Sequence, residues 1–164
     1  MSLLLQITVC LTLTTSGALL TPPILEACRS GEQREAWRND LLVIKASDVA
    51  EMIRLGSRVV LVDVREEPEY AEYHIPGALL APVRQLHDIP LETFRNADLV
   101  LPYCYKDLRG FEAARVLERR GVGNLGLFEG FGIRAWEKAG LPTAGTYSGL
   151  DEAAATRQLM DGSR

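Results

Sequence analysis

The sequence predicts an α/β protein built on a parallel sheet with helices on both faces. Strand-like and helix-like segments alternate from about residue 41 to residue 140, as they do where helices connect parallel strands. The run RVVLVDV at 58–64 is rich in β-branched residues, which suits a strand buried on both sides. A chain of 164 residues can bury a core without disulfides or metal.

Apolar runs and the residues that interrupt them define each element in turn. Ser47 is expected to cap a helix that carries Val49, Met52 and Ile53 on one face and stops at Gly56. Another helix is expected from Gly110, with an apolar stripe facing the core. The predicted strands are 41–46, 58–64, a short run within 74–83, 98–103 and 125–128. The predicted helices are 47–56, 89–97, 110–120 and 132–140.

Composition and charge argue against several classes of function. The net charge is −4 and Lys and Arg form no dense stripe, so we expect no nucleic-acid partner. The cysteines Cys10, Cys28 and Cys104 are widely scattered, and His74 and His87 form no zinc-binding motif. We therefore expect no disulfide framework, no metal site and no cofactor.

The two ends of the chain differ in composition from its middle. No charged side chain precedes Glu26, and the apolar stretch 3–20 has the length of a signal-peptide core or a short membrane anchor. We predict such a segment over 1–25, a linker over 26–40, the compact domain over 41–145 and a polar tail over 146–164. A signal peptide or anchor favours a periplasmic, secreted or membrane-anchored protein over a cytoplasmic one. Since no basic flank precedes the stretch, an extension packed on the domain is the alternative.

Cys104 stands where a strand is expected to turn into a helix. In a parallel sheet, ligands gather at the carboxyl ends of strands. The inward amides of a tight loop, the helix dipole and the nearby Lys106 and Arg109 would all favour a thiolate, which is the reactive form of cysteine. Cys104 is therefore a candidate nucleophile. The alternative is an inert cysteine that packs as a small hydrophobic side chain.

Three segments together resemble landmarks of the rhodanese family, in the family's order and spacing: VVLVDVREEPEYAEYHIPGALLAPV at 59–83, YCYKDLRGFEAARVLERRG at 103–121 and GIRAWEKAGLPT at 132–143. The resemblance covers about 41–145. It implies a rhodanese-like three-layer α/β/α fold with a five-stranded parallel sheet. It also implies a sulfurtransferase whose cysteine takes sulfane sulfur from thiosulfate or a related donor, holds it as a persulfide and passes it to cyanide or a thiol.

The resemblance assigns roles to individual residues. Cys104 is the nucleophile, and the substrate-binding cradle consists of Tyr105, Lys106, Asp107, Leu108, Arg109 and Gly110. Asp63 and Arg65 are expected to support neighbouring loops, with a substrate contact as the alternative. A structural hydrogen bond is expected for His74.

Other side chains near these motifs are expected to play structural roles. Trp136 and Phe111 should lie in the core, while Glu66, Glu67 and Glu69 should form a solvated face.

The cradle also departs from the family pattern. Tyr105 and Asp107 stand where many active members carry arginine and glycine, and Pro102 is awkward for an inner strand unless it lies at the strand's end. A second interpretation is therefore a weakly active or non-enzymatic rhodanese-like module that carries sulfur for, or binds, a protein partner. Four residues separate Cys104 from Arg109, whereas related dual-specificity phosphatases have five, so a phosphatase is a distant alternative.

Overall fold

The computed structural model describes residues 41–106, 108–130 and 132–162, and within these ranges it contains five strands and five α-helices. The strands are β1 (Leu42–Ile44), β2 (Val59–Asp63), β3 (Leu79–Leu80), β4 (Leu99–Tyr103) and β5 (Gly126–Phe128). The helices are α1 (Ala46–Arg54), α2 (Glu67–Glu72), α3 (Leu108–Arg119), α4 (Gly132–Lys138) and α5 (Glu152–Asp161). Two 3₁₀ turns, Val83–Gln85 and Leu91–Phe94, lie between β3 and β4.

All strand pairs in the sheet are parallel. β2 lies between β3 and β4, and β1 pairs with β5. A parallel bridge between Val100 and Leu125 connects the two sets, which gives the order β1-β5-β4-β2-β3. The parallel α/β architecture predicted from the sequence is confirmed.

The core divides into two halves, one on each face of the sheet. Leu99, Leu101 and Tyr103 of β4 face a cluster that contains side chains of α1, α4 and α5. Val100 and Cys104 face the opposite cluster, which contains α3. This alternation follows from the two-residue period of a strand. Helices therefore cover both faces, and the domain has three layers.

Two helix predictions need correction. Ser47 is not a cap, because α1 begins at Ala46 and its N-cap is Lys45, whose carbonyl accepts from the amides of Asp48 and Val49 at 3.1 Å each. The helix predicted over 89–97 is only the 3₁₀ turn Leu91–Phe94. It ends at Phe94 because the next residue, Arg95, is already extended with ψ 133°, and Asn96 then adopts the left-handed conformation with φ 59°.

Pro102 is the fourth of the five residues of β4, opposite Val62. Proline has no amide hydrogen to donate to a neighbouring strand, and β4 accepts it because β4 and β5 pair over only a short length. The Val100 amide donates to the carbonyl of Asn124 at 2.8 Å, and Pro102, two residues later, faces the same neighbour. Because pairing on this side is limited to the Val100 bridge, the missing amide leaves no ladder hydrogen bond unmade.

The predicted tail carries α5, which lies against the domain within the part described. The Asp151 side chain caps this helix, and the Arg54 Nε donates to the carbonyl of Leu159 at 2.8 Å. The predicted signal peptide or anchor and the linker lie outside the described residues. Within 41–162, none of the described helices has the length and apolar character that crossing a bilayer requires.

Candidate active site

Cys104 follows β4 directly and is a free, buried cysteine, only 2% exposed. The next two residues, Tyr105 and Lys106, are exposed. Helix α3 begins at Leu108, two residues earlier than predicted. Leu108, Arg109 and Gly110, expected in the cradle loop, therefore form the first turn of α3, and the loop between strand and helix is shorter than expected. Asp107 lies outside the described residues.

The backbone amides that follow Cys104 differ in their hydrogen bonding. The Leu108 amide donates to the carbonyl of Lys106 at 3.0 Å. The amides of Tyr105 and Lys106 have no acceptor among the residues that the structure describes. The first turn of a helix adds N–H groups without partners inside the helix, together with the positive end of its dipole. A negatively charged sulfur or oxyanion is therefore favoured beside this turn.

Arg109 is held by a two-point ion pair with Glu69 of α2. Its Nη1 and Nη2 donate to the Glu69 carboxylate at 2.9 and 2.8 Å. These hydrogen bonds lower the pKa of Glu69 to about 2. The Glu69 carboxylate and, to a smaller extent, the Cys104 sulfur raise the pKa of Arg109. Arg109 thus joins the start of α3 to α2 and carries its charge near the thiol.

The predicted solvated face on α2 is partly exposed, but two of its three residues also form ion pairs that were not predicted. Glu69 pairs with Arg109 and also accepts from the backbone amide of Glu66 at 3.2 Å. Glu66 completes the capping box of the helix and pairs with Arg84. Glu69 and Arg109 are forty residues apart, so no local pattern in the sequence indicates their contact.

Asp63 and Arg65 form a second, fully buried pair. Their exposures are 0% and 1%, and the Arg65 Nη2 donates to the Asp63 carboxylate at 2.7 Å. Burial opposes the charge of Arg65, but hydrogen bonding and the charge of Asp63 outweigh it and raise the pKa of Arg65. Arg65 also donates to the carbonyl of Tyr73 at 2.5 Å, and the Asp63 carbonyl accepts from Ala81 at 2.8 Å. The pair therefore connects the end of β2 to the following segments.

Close backbone contacts fix the Cys104 loop against its surroundings. A side chain at Gly110 would bring a Cβ within 3.2 Å of the carbonyl oxygen of Pro102 and 3.3 Å of the Cα of Tyr103, so α3 approaches the end of β4 at a distance where a larger residue would have to push the backbone apart. On the other side, the Ile133 amide of α4 donates to the carbonyl of Cys104 at 2.9 Å.

Three aromatic side chains near the motifs have different environments. His74 stacks on Tyr70 with ring centroids 3.7 Å apart, and its Nε2 lies 2.8 Å from the Glu152 carboxylate. Trp136 is buried, and its Nε1 donates to the carbonyl of Pro142 at 2.7 Å. Phe111, predicted in the core, is 47% exposed. That prediction was wrong because the buried stripe of α3 consists of other residues, namely Gly110, Ala113, Ala114, Val116 and Leu117.

A separate shallow depression of about 450 Å³ lies between α2 and the segment 144–152. It includes His74 and Glu152, and its described lining contains no residue of the Cys104 loop. Among the described residues, no three His, Cys, Asp or Glu side chains cluster in a way that would hold a metal ion.

Comparison with known proteins identifies relatives of this chain. The rhodanese-like domain family matches residues 45–139. A sulfurtransferase of Allochromatium vinosum is 38% identical over 87 residues, covering 51% of this chain and 77% of that protein. The thiosulfate:glutathione sulfurtransferase of Saccharomyces cerevisiae is 37% identical over 84 residues, covering 44% of this chain and 60% of that protein.

Solved structures agree on the fold. The solution structure of a rhodanese-like domain from Anabaena superposes with a TM-score of 0.57 at 24% identity, covering 65% of this chain and 80% of that one. The chain spans 55 to 77% of the length of three curated relatives that it matches. With more than half of its residues matched by one family, this chain belongs to the rhodanese-like domain family.

Proposed function

We propose that the protein is a sulfurtransferase that moves a sulfane sulfur through a persulfide on Cys104. The observation that carries this proposal is a free thiol at the end of β4, followed by two amides that have no acceptor among the described residues. Family membership and the sulfurtransferase names of two relatives support it. Thiosulfate is the proposed donor, and a thiol or cyanide is the proposed acceptor.

The transfer has two steps. The Cys104 thiolate attacks the outer sulfur of thiosulfate, a new S–S bond forms, and sulfite leaves with the electron pair of the broken S–S bond. The acceptor thiolate then attacks the outer sulfur of the persulfide. The bond to the Cys104 sulfur breaks, its electron pair returns to that sulfur, and the acceptor leaves as a persulfide. Because the enzyme is loaded before the acceptor reacts, the kinetics should be ping-pong.

The chain's own groups contribute mainly electrostatics to both steps. In this proposal the amides of Tyr105 and Lys106 and the first turn of α3 stabilise the anion that forms at the sulfur. Arg109, fixed by Glu69, adds positive charge near the thiol. Asp63 and Arg65 support the neighbouring segments and do not take part in the chemistry.

Steady-state turnover with thiosulfate and either cyanide or glutathione tests the proposal. We expect ping-pong turnover in the parent protein and none in Cys104→Ser, a substitution that keeps the size of the side chain. Equal turnover in both proteins would refute the role of Cys104.

The second candidate is a sulfur-carrier module that docks a protein partner, which the exposed Leu108 (80%) and Phe111 (47%) beside the loop favour. This candidate predicts no thiosulfate turnover in either protein. It predicts instead that a persulfide donated by a partner protein forms on the parent and not on Cys104→Ser.

A further inference from the structure

A second cationic residue reaches the Cys104 loop from a different helix. Arg134 is an exposed residue of α4, and its guanidinium carbon lies 5.6 Å from the centroid of the Tyr105 ring. The Lys106 Nζ lies 6.0 Å from the centroid of the same ring. The residue before Arg134 donates its amide to the carbonyl of Cys104 at 2.9 Å. Arg134 is thus tied, through the backbone of α4, to the residue that carries the thiol.

Arg134 differs in its ion pairing from the other arginines around this loop. Arg109 is paired with Glu69, and Arg115 is paired with Glu118 at 2.8 Å. In the part of the chain that the structure describes, no carboxylate lies within 4 Å of Arg134 or Lys106. Within these described residues, Arg134 and Lys106 thus differ from Arg109 and Arg115, whose charges are already paired.

The Tyr105 ring gives Arg134 a defined position. A guanidinium close to an aromatic ring is attracted by the ring's π electrons and loses part of its conformational freedom. Its planar set of N–H donors matches the two oxygens of a carboxylate or the oxygens of a sulfonate. Because Tyr105 directly follows Cys104, an oxyanion bound by Arg134 would belong to the molecule whose sulfur reacts at Cys104.

We propose that Arg134, positioned by Tyr105, is a specificity-determining residue that binds the oxyanion group of the sulfur substrate. This inference rests on the proposed function and extends it to a residue outside the loop. The oxyanion is either the carboxylate of a thiol acceptor or the sulfonate end of the donor. Arg134 takes no part in bond breaking, so it affects binding and leaves the electron flow at the two sulfurs unchanged.

Kinetics of Arg134→Ala test this role, with Arg119→Ala as the matched control. Arg119 is an exposed residue in the last turn of α3, so its loss changes the net charge equally. For Arg134→Ala we expect roughly a two- to fivefold rise in KM, the effect of losing one solvent-exposed charged contact. The rise should affect either thiosulfate or glutathione, with kcat and the KM of the uncharged thiol dithiothreitol unchanged. The substrate whose KM rises identifies the source of the oxyanion. In Arg134→Lys, which keeps the positive charge, the rise in KM should be smaller than in Arg134→Ala.

Three results would overturn the proposal. They are unchanged KM values for both thiosulfate and glutathione, an equal rise in the KM of dithiothreitol, or the same rise in KM in Arg119→Ala. Binding of two probes, sulfite and S-methylglutathione, to the sulfur-free protein gives a readout that does not depend on turnover, because neither probe can donate a sulfane sulfur to Cys104. The parent protein should bind one of them more tightly than Arg134→Ala does. Absence of that difference refutes the role of Arg134 even if sulfur transfer occurs, whereas failure to load Cys104 refutes only the proposed function.

Discussion

Replacing Glu69 by glutamine removes the carboxylate that holds Arg109 beside the Cys104 loop. The substitution keeps the size of the side chain, and glutamine at this position can still complete the capping box of α2. The main loss is therefore the charge of the Glu69–Arg109 pair. We expect a lower free energy of unfolding near neutral pH.

The size of the effect follows from the pKa of Glu69 and from its exposure. The pKa falls from 4.5 to about 2 because of the hydrogen bonds from Arg109, and in a buried group such a shift would correspond to about 3 kcal/mol. The two side chains are 39% and 37% exposed, so solvent screens their interaction and we expect about 1 kcal/mol. Since the pKa is lower in the folded state, this stabilisation is fully present above about pH 4.5 and is lost as the pH falls toward 2.

Urea denaturation of the parent protein and Glu69→Gln at neutral pH and at about pH 3 measures this difference. The difference in unfolding free energy should be largest at neutral pH and should shrink in acid. Glu67→Gln, on the same helix and exposed, is the matched control and should change stability by less than about 0.5 kcal/mol. Equal stabilities at neutral pH, or a difference that persists unchanged in acid, would refute the reasoning.

Two further substitutions test how the loop is supported, each by urea denaturation. Gly110→Ala places a Cβ 3.2 Å from a backbone oxygen and should cost about 1–3 kcal/mol. Gly123→Ala is the matched control, because a Cβ added there meets no atom within 4 Å, and it should change stability by no more than about 0.5 kcal/mol. Equal losses of stability in the two variants would contradict the close approach of α3 to β4. Asp63→Ala leaves the buried Arg65 without its counter-charge and should cost about 3–5 kcal/mol. Glu92→Ala, which breaks an exposed pair, should cost less than about 1 kcal/mol, so a similarly small loss in Asp63→Ala would contradict the buried pair.

The strands were predictable from the sequence because buried parallel strands are continuous apolar runs. The predicted strands 58–64 and 98–103 agree with β2 and β4 to within one residue at each end. The position of Cys104 between a strand and a helix made it a candidate nucleophile, the family resemblance favoured that role, and the structure places Cys104 directly after β4, as the sequence pattern predicts. Both predictions depend only on the residue types within a short stretch of the sequence.

Contacts between distant segments were not predictable. Gly110 was predicted to end the cradle and begin the helix, but its close approach to the backbone of Pro102 and Tyr103 could not be read from the sequence. Glu69 was taken as solvated because its partner Arg109 belongs to another element. Arg134 was not singled out, since only the fold brings α4 beside Tyr105. In each case the determining neighbour is far away in sequence.

The most direct test of the account is the intact mass of the protein after exposure to thiosulfate. We expect the parent protein to gain the mass of one sulfur atom, a thiol reductant to remove it, and Cys104→Ser to gain nothing. A parent protein that gains no sulfur from thiosulfate, or an added sulfur that persists in Cys104→Ser, would contradict the claim that Cys104 carries the transferred atom.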